Sequence, residues 1–307
     1  MRRLSLVALL VTFFSSGVFA SNDWVSYVGN WTDPAGWSES RPPSGAEEVK
    51  VRGQEAICTL NTSTGDWGVG QRMRVYEGAR LIIEDGAELL GTGWMRVGAT
   101  DTGYLVQTGG LLRLTQGKDT GKLGVGDQAG SDGSYTISGG SLAYSGDGGD
   151  LLIGARGGRG TFTIVSAEPS IAMNNLYVGN QAGASGTLEF QIGAAGVSPI
   201  NLAGTAYLDP EGTDTVAALI LSLLDAPPVE QDILLITGTI QGTFDTVNGA
   251  PAAEGASVAL NFAGSDYAYT LTYADGVALQ WVPEPATLLL FGLGGLIVAA
   301  RRPRSKK

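Results

Sequence analysis

Between Trp67 and Phe190 the chain alternates large apolar with small or polar positions in short bursts, and the bursts recur. An apolar–Gly pair stands at Val69-Gly70, Val97-Gly98, Val125-Gly126, Ile153-Gly154 and Val178-Gly179, with the glycines 28, 28, 28 and 25 residues apart. Two residues before each of these lies another large apolar residue: Trp67, Met95, Leu123, Leu151 and Leu176. Positions i and i+2 share one face of a strand, so each copy predicts a short strand with both side chains inward. A second burst follows at Gly133–Ile137, Gly160–Ile164 and Gly186–Phe190, with Tyr104 and Val106 after Gly103 as a shorter version. A third begins at Gly109-Gly110-Leu111 and Gly139-Gly140-Ser141-Leu142. β-Branched and aromatic residues dominate, no 3.6-residue stripe persists, and glycine interrupts every few positions, which disfavours helix.

Three brief strands per unit cannot bury their own apolar face; stacked units can, because the inward stripes merge into one core. The expectation is therefore an all-β chain, a three-sided parallel β-helix of about five rungs over residues 57–195. Propeller blades run longer and carry four strands, so they fit less well. Residues 21–56 precede the repeats with Trp24, Trp31 and Trp37, expected to pack over the first rung rather than stack on sugars. The stretch from Gly29 to Trp37 resembles the opening of many bacterial surface solenoid proteins. Residues 196–281 lose the period, but apolar runs at 217–224 and 233–236 and alternation at Tyr267, Tyr269, Leu271 and Tyr273 predict a β-rich closing region.

The two ends read as addresses. Arg2 and Arg3, the apolar run from Leu4 to Phe14, and Val18-Phe19-Ala20 match a secretory signal over residues 1–20, cleaved between Ala20 and Ser21. At the other end Pro283-Glu284-Pro285 precedes an uncharged stretch from Ala286 to Ala300, then Arg301, Arg302, Arg304, Lys306 and Lys307. That stretch is short for a span, flanking cations can snorkel, and the basic end should stay cytoplasmic. The tripeptide, apolar stretch and basic end of residues 282–307 together resemble the PEP-CTERM sorting signal of Gram-negative bacteria. The resemblance implies recognition by a membrane-embedded exosortase-type enzyme, transient anchoring through the C-terminal segment, and delivery to the cell surface or exopolysaccharide matrix.

Composition narrows the chemistry. There is no His and one Cys, Cys58, which excludes His-based triads, His-ligated metals and disulfide frameworks. Without its two ends the body carries 12 cations against 29 carboxylates, and none of the cations lies beyond Arg159. Such a balance argues against nucleic acid. Calcium bridging by converging carboxylates is conceivable, yet no EF-hand or nonapeptide calcium repeat is present, and no metal or cofactor is expected. Parallel β-helices host polysaccharide lyases and hydrolases, so Asp101, Asp127, Asp132, Asp147 and Asp150 are candidate acid–base pairs. Asp beside Gly and Ser is also an ordinary turn residue. Arg156 and Arg159 are candidates for acidic sugars or simply solvated corners, and Cys58 reads as a small core residue. The expected role is an exported, non-enzymatic structural or adhesive protein, with a carbohydrate-active β-helix enzyme as the alternative.

Overall fold

The computed structural model describes residues 21–43, 47–61, 63–66, 72–115, 121–146, 148–209, 214–228 and 230–283. The expected signal sequence, Trp67, Val69, Gly70, Asp147 and residues 284–307 lie outside them. The described chain is almost wholly strand, with one short 3-10 turn at Pro34–Gly36.

Parallel strands stack into three faces. The first face begins with Ser21–Trp24, Glu48–Arg52, Arg72–Tyr76 and Trp94–Val97, and continues through Lys122–Val125, Asp150–Ala155 and Leu176–Asn180. The second runs from Val28–Asn30 through Ile57–Leu60, Arg80–Ile83 and Thr102–Gln107 to Val216–Leu223 and Thr246–Val247. The third includes Glu88–Gly91, Leu111–Thr115, Ser141–Ser145 and Ser170–Met173. The result is a three-sided β-solenoid of about seven turns, more than the five rungs expected. Parallel stacking already starts at Ser21, and the long strands Ile200–Leu208 and Ile233–Gly242 add turns beyond residue 195. Each of these two strands passes from the third face to the first with a register shift instead of a Gly-rich corner. The glycine period ends at the other corner, where Asp209 takes the place of Gly179, although the solenoid continues.

The inward stripe is as the alternation predicts. Val97, Val125, Ile153 and Val178 stand in register on successive turns and are fully buried, as are Leu123, Leu151 and Leu176. Two expectations fail. Val97 pairs with Val75, not with the Val69 of the apparent repeat, because the earlier turn has shorter corners. On the second face Leu105 and Gln107, not Tyr104 and Val106, point inward, in register with Tyr135 and Ile137. A buried Gln is tolerated because its amide is satisfied. Its oxygen accepts from the Tyr135 hydroxyl at 2.6 Å, and its nitrogen donates to the Ser141 carbonyl at 2.9 Å.

Both open ends of the stack are covered, as solenoids require. At the start, Trp24, Trp31 and Trp37 are each only 2% exposed and pack edge to face. The Trp37 indole donates to the Trp31 carbonyl at 2.7 Å, and the chain after it bonds along the outer edge of the first strand, Ser38 N–H to Asp23 O at 2.9 Å. At the far end Ser257–Phe262, Ser265–Thr272 and Val277–Trp281 form an antiparallel set, joined antiparallel to Ile233–Gly242. Cys58 lies in the core, fully buried, and burial pushes its thiol well above the ordinary range.

Corners bring each turn's backbone against the next. Gly126 has φ +63°, donates its N–H to the Val97 carbonyl at 2.8 Å, and a Cβ there would lie 1.6 Å from the Arg159 carbonyl oxygen. Gly130, with φ +77°, has nothing within 4 Å of such an atom. Gly130→Ala should therefore cost about 1 kcal/mol, the strain of the left-handed conformation alone. Gly126→Ala should cost several times as much, because backbone of the next turn must move; thermal melts of the two variants check the order.

Buried phenols set an alkaline limit. Desolvation raises Tyr135 far above its ordinary value and pushes Tyr273 up to about 12, while the unfolded chain ionises near pH 10. A raised folded-state value means that this stability is complete below pH 10 and is lost as pH climbs through the folded values. The melting temperature should hold up to about pH 9 and fall steeply above about pH 10, with Tyr273→Phe reducing the fall.

Candidate functional site

Six of the twelve body cations lie in strands of the first face: Lys50, Arg52, Arg72, Arg74, Arg96 and Lys122. Register stacks Lys50, Arg74 and Arg96 in one column, where like charges repel. Carboxylates relieve it. Glu48 meets Arg74 at 2.9 Å and Lys50 at 3.6 Å, and Asp23 meets Arg52 at 2.6 Å. At the next position of the Arg column the chain has Gly124, in register with Arg96. Asp127 folds back over this glycine, where a Cβ would be 2.8 Å from its own Cβ.

From that position Asp127 ties three turns together. It is fully buried and meets Arg96 Nε of the turn before at 3.0 Å and Arg156 Nη2 of the turn after at 2.7 Å. The two guanidiniums flank Trp94, with their carbons 4.3 and 4.6 Å from its ring centre. Burial raises the Asp127 carboxyl and lowers the Arg96 guanidinium, and each partner's charge acts in the opposite sense. Asp150 is held similarly, by Lys122 at 3.6 Å and the Asn175 amide at 2.9 Å. Further along the same face, the rings of Tyr177 and Tyr207 stack at 4.8 Å on successive turns.

The second feature is a groove of about 990 Å³ at the corner between first and second faces, spanning four turns. Its floor is the outward column Ile57, Arg80 and Tyr104, with Tyr27 at the open end. Glu55, Glu77 and Asp101 form its rim, one from each corner. The groove exists because corners are short there. Five residues separate the buried Val75 and Leu81, whereas nine separate Val125 and Tyr135 in the turn beyond the groove. Tyr27 donates its hydroxyl to Glu55 at 2.8 Å, which raises its pKa, and the Arg80 guanidinium lies 5.6 Å from the Tyr104 ring centre.

The sequence candidates are thus dispersed. Asp127 belongs to the first face and Asp132 to a second-face strand, in register with Arg159. Asp101 lines the groove, and its carboxylate accepts from the Thr102 N–H at 2.8 Å. Arg156 is no free corner, since Asp127 holds it. Ser21 opens the first strand, while Ala20 lies outside the described residues, as do Glu284, Pro285, Arg301, Arg302, Arg304, Lys306 and Lys307. Sequence reasoning missed Trp94, Arg96 and the groove. A glycine interrupting a column of arginines, and corners of unequal length, were the available signals.

Residues 282–305 match the PEP-CTERM protein-sorting motif. No curated protein and no solved structure matches the chain significantly. The motif marks an exported protein that is transiently anchored in the membrane and sorted by an exosortase. Among the described residues no helix is long and apolar enough to cross a membrane; the apolar stretch from Ala286 to Ala300 lies outside them.

If Asp127 is a staple between turns, Asp127→Asn should lower stability by about 3 kcal/mol, since Arg96 keeps a buried charge without its carboxylate. An acid–base residue would behave oppositely, with little change in melting temperature. Chemical denaturation of the variant decides between them.

Proposed function

We propose that the body is a non-enzymatic structural or adhesive solenoid of the Gram-negative cell surface or extracellular matrix, associated with exopolysaccharide. One observation carries this reading. The last capping strand ends at Trp281 and the sorting motif begins at Val282, so the cargo of the signal is the closed solenoid itself. The arrangement of carboxylates supports it. Asp127 and Asp150 are tied to cations and an amide of neighbouring turns, which suits a part that must stay rigid outside the cell. A carbohydrate-active enzyme is the second reading, favoured by the three carboxylates along the groove rim.

Exosortase processing should leave a mature chain that ends near Pro283-Glu284-Pro285 and lacks Arg301 to Lys307. Mass spectrometry of surface protein retaining those residues would count against removal of the tail. Purified mature protein incubated with acidic and neutral polysaccharides should release neither reducing ends nor unsaturated products. Release that Glu55→Gln or Asp101→Asn abolishes would establish the enzyme instead.

A further inference from the structure

The corner groove has a chemistry that the staple on the first face lacks. Its floor combines an aliphatic side chain, two phenol rings and one guanidinium, and its rim offers carboxylates. Among the described residues, three of the eight large exposed apolar ones cluster at its open end: Val25, Tyr27 and Val28, at 61, 62 and 56% exposure. Exposed apolar surface gathered beside a cleft marks a binding surface rather than scatter. Because turns stack at ~4.8 Å, the stretch from Tyr27 to Tyr104 is about 14 Å long and runs parallel to the solenoid axis.

We propose that this groove binds a neutral polysaccharide laid along the axis; the proposal rests on the exopolysaccharide association above and names its site and ligand class. A linear ligand fits a groove whose contacts repeat from turn to turn. Sugar rings offer C–H faces to Tyr27 and Tyr104, and their hydroxyls donate to Glu55, Glu77 and Asp101, carboxylates that act purely as acceptors. Acidic glycans are disfavoured by charge, since among the described residues the groove lining has three carboxylates against one cation, Arg80, on a strongly acidic body.

The test uses the mature secreted protein in affinity electrophoresis through gels containing dextran, mannan, alginate or polygalacturonate. Dextran or mannan should retard the wild type, and Tyr27→Ala and Tyr104→Ala should each weaken retardation about tenfold. Tyr27 is exposed, so its variant should melt with the wild type and decides the matter even if Tyr104→Ala is unstable. Tyr177→Ala, on the first face, should bind normally. Absence of binding to either neutral polymer, preference for the acidic ones, or binding indifferent to Tyr27→Ala would overturn the site. Cell fractionation separates this from the broader reading. Wild type and Tyr27→Ala equally retained in the matrix would remove the groove and leave matrix association. Dextran or mannan binding through Tyr27 by a protein absent from the matrix would do the reverse.

Discussion

Every turn of this protein is hydrogen-bonded to the next in parallel register, so each side chain stands ~4.8 Å from its counterpart on both sides. That single constraint makes like stack on like. Inside, it is favourable without further design: Val97, Val125, Ile153 and Val178 form a fully buried column. Outside, it is favourable for Tyr177 on Tyr207 and unfavourable for Lys50 on Arg74 on Arg96. The ionic architecture of the first face follows from having to neutralise that column. Glu48 and Asp23 serve its beginning from their own strands, whereas Asp127 reaches its end from a corner and needs Gly124 to make room. A buried ion pair is expensive to assemble, because desolvation opposes both charges. Here the three charges come from consecutive turns, so the same group that neutralises the column also resists sliding of one turn over another.

What the sequence showed depended on how each corner is made. Between residues 97 and 190 the turns close through glycines that tolerate left-handed backbone and close approach, and those glycines print a period. The strand phase in that stretch was legible down to single residues such as Leu123 and Val125. After residue 195 the residue that opens the corner from first to second face is no longer glycine: Leu208 is in register with Val178, so Asp209, with φ +49°, takes the place of Gly179 and the period breaks. The early turns were misaligned for a related reason: Val97 is in register with Val75, only 22 residues before it. Gln107 was invisible because inward polarity is allowed only by a partner on the next turn, Tyr135, which alternation within one strand cannot reveal.

The same variation in corner length gives the surface its character. A solenoid of equal turns presents flat faces with no preferred position for a ligand. The short corners around residues 25–27, 53–56 and 77–79 leave a recess that ends at Tyr104. The groove is thus a by-product of irregularity in the repeat, and the least regular part of the stack is the part with the most varied surface chemistry. No single residue of it stands out as a motif, which is why a scan for catalytic or metal-binding patterns passes over it.

Charge is divided along the axis as well as around it. All twelve body cations lie at or before Arg159, together with the ladder and the groove, while the turns after it carry only carboxylates. Those later turns have no cation column to neutralise: the first face there stacks Tyr177 on Tyr207, and the outward Glu189 of the second face is bonded to Thr163 and Gln191. Their acids lie mostly at corners and in the cap, where solvent screens them over ~10 Å. The early half therefore adds specific ion pairs at fixed positions to its core, while the later half relies on packing and hydrogen bonds such as Asp245 accepting from the Ala217 N–H, with its charge free to keep the surface hydrated. Salt weakens interactions between exposed charges and hardly reaches a carboxylate as buried as Asp127, so the two halves of one continuous core answer differently to the ionic conditions outside a cell.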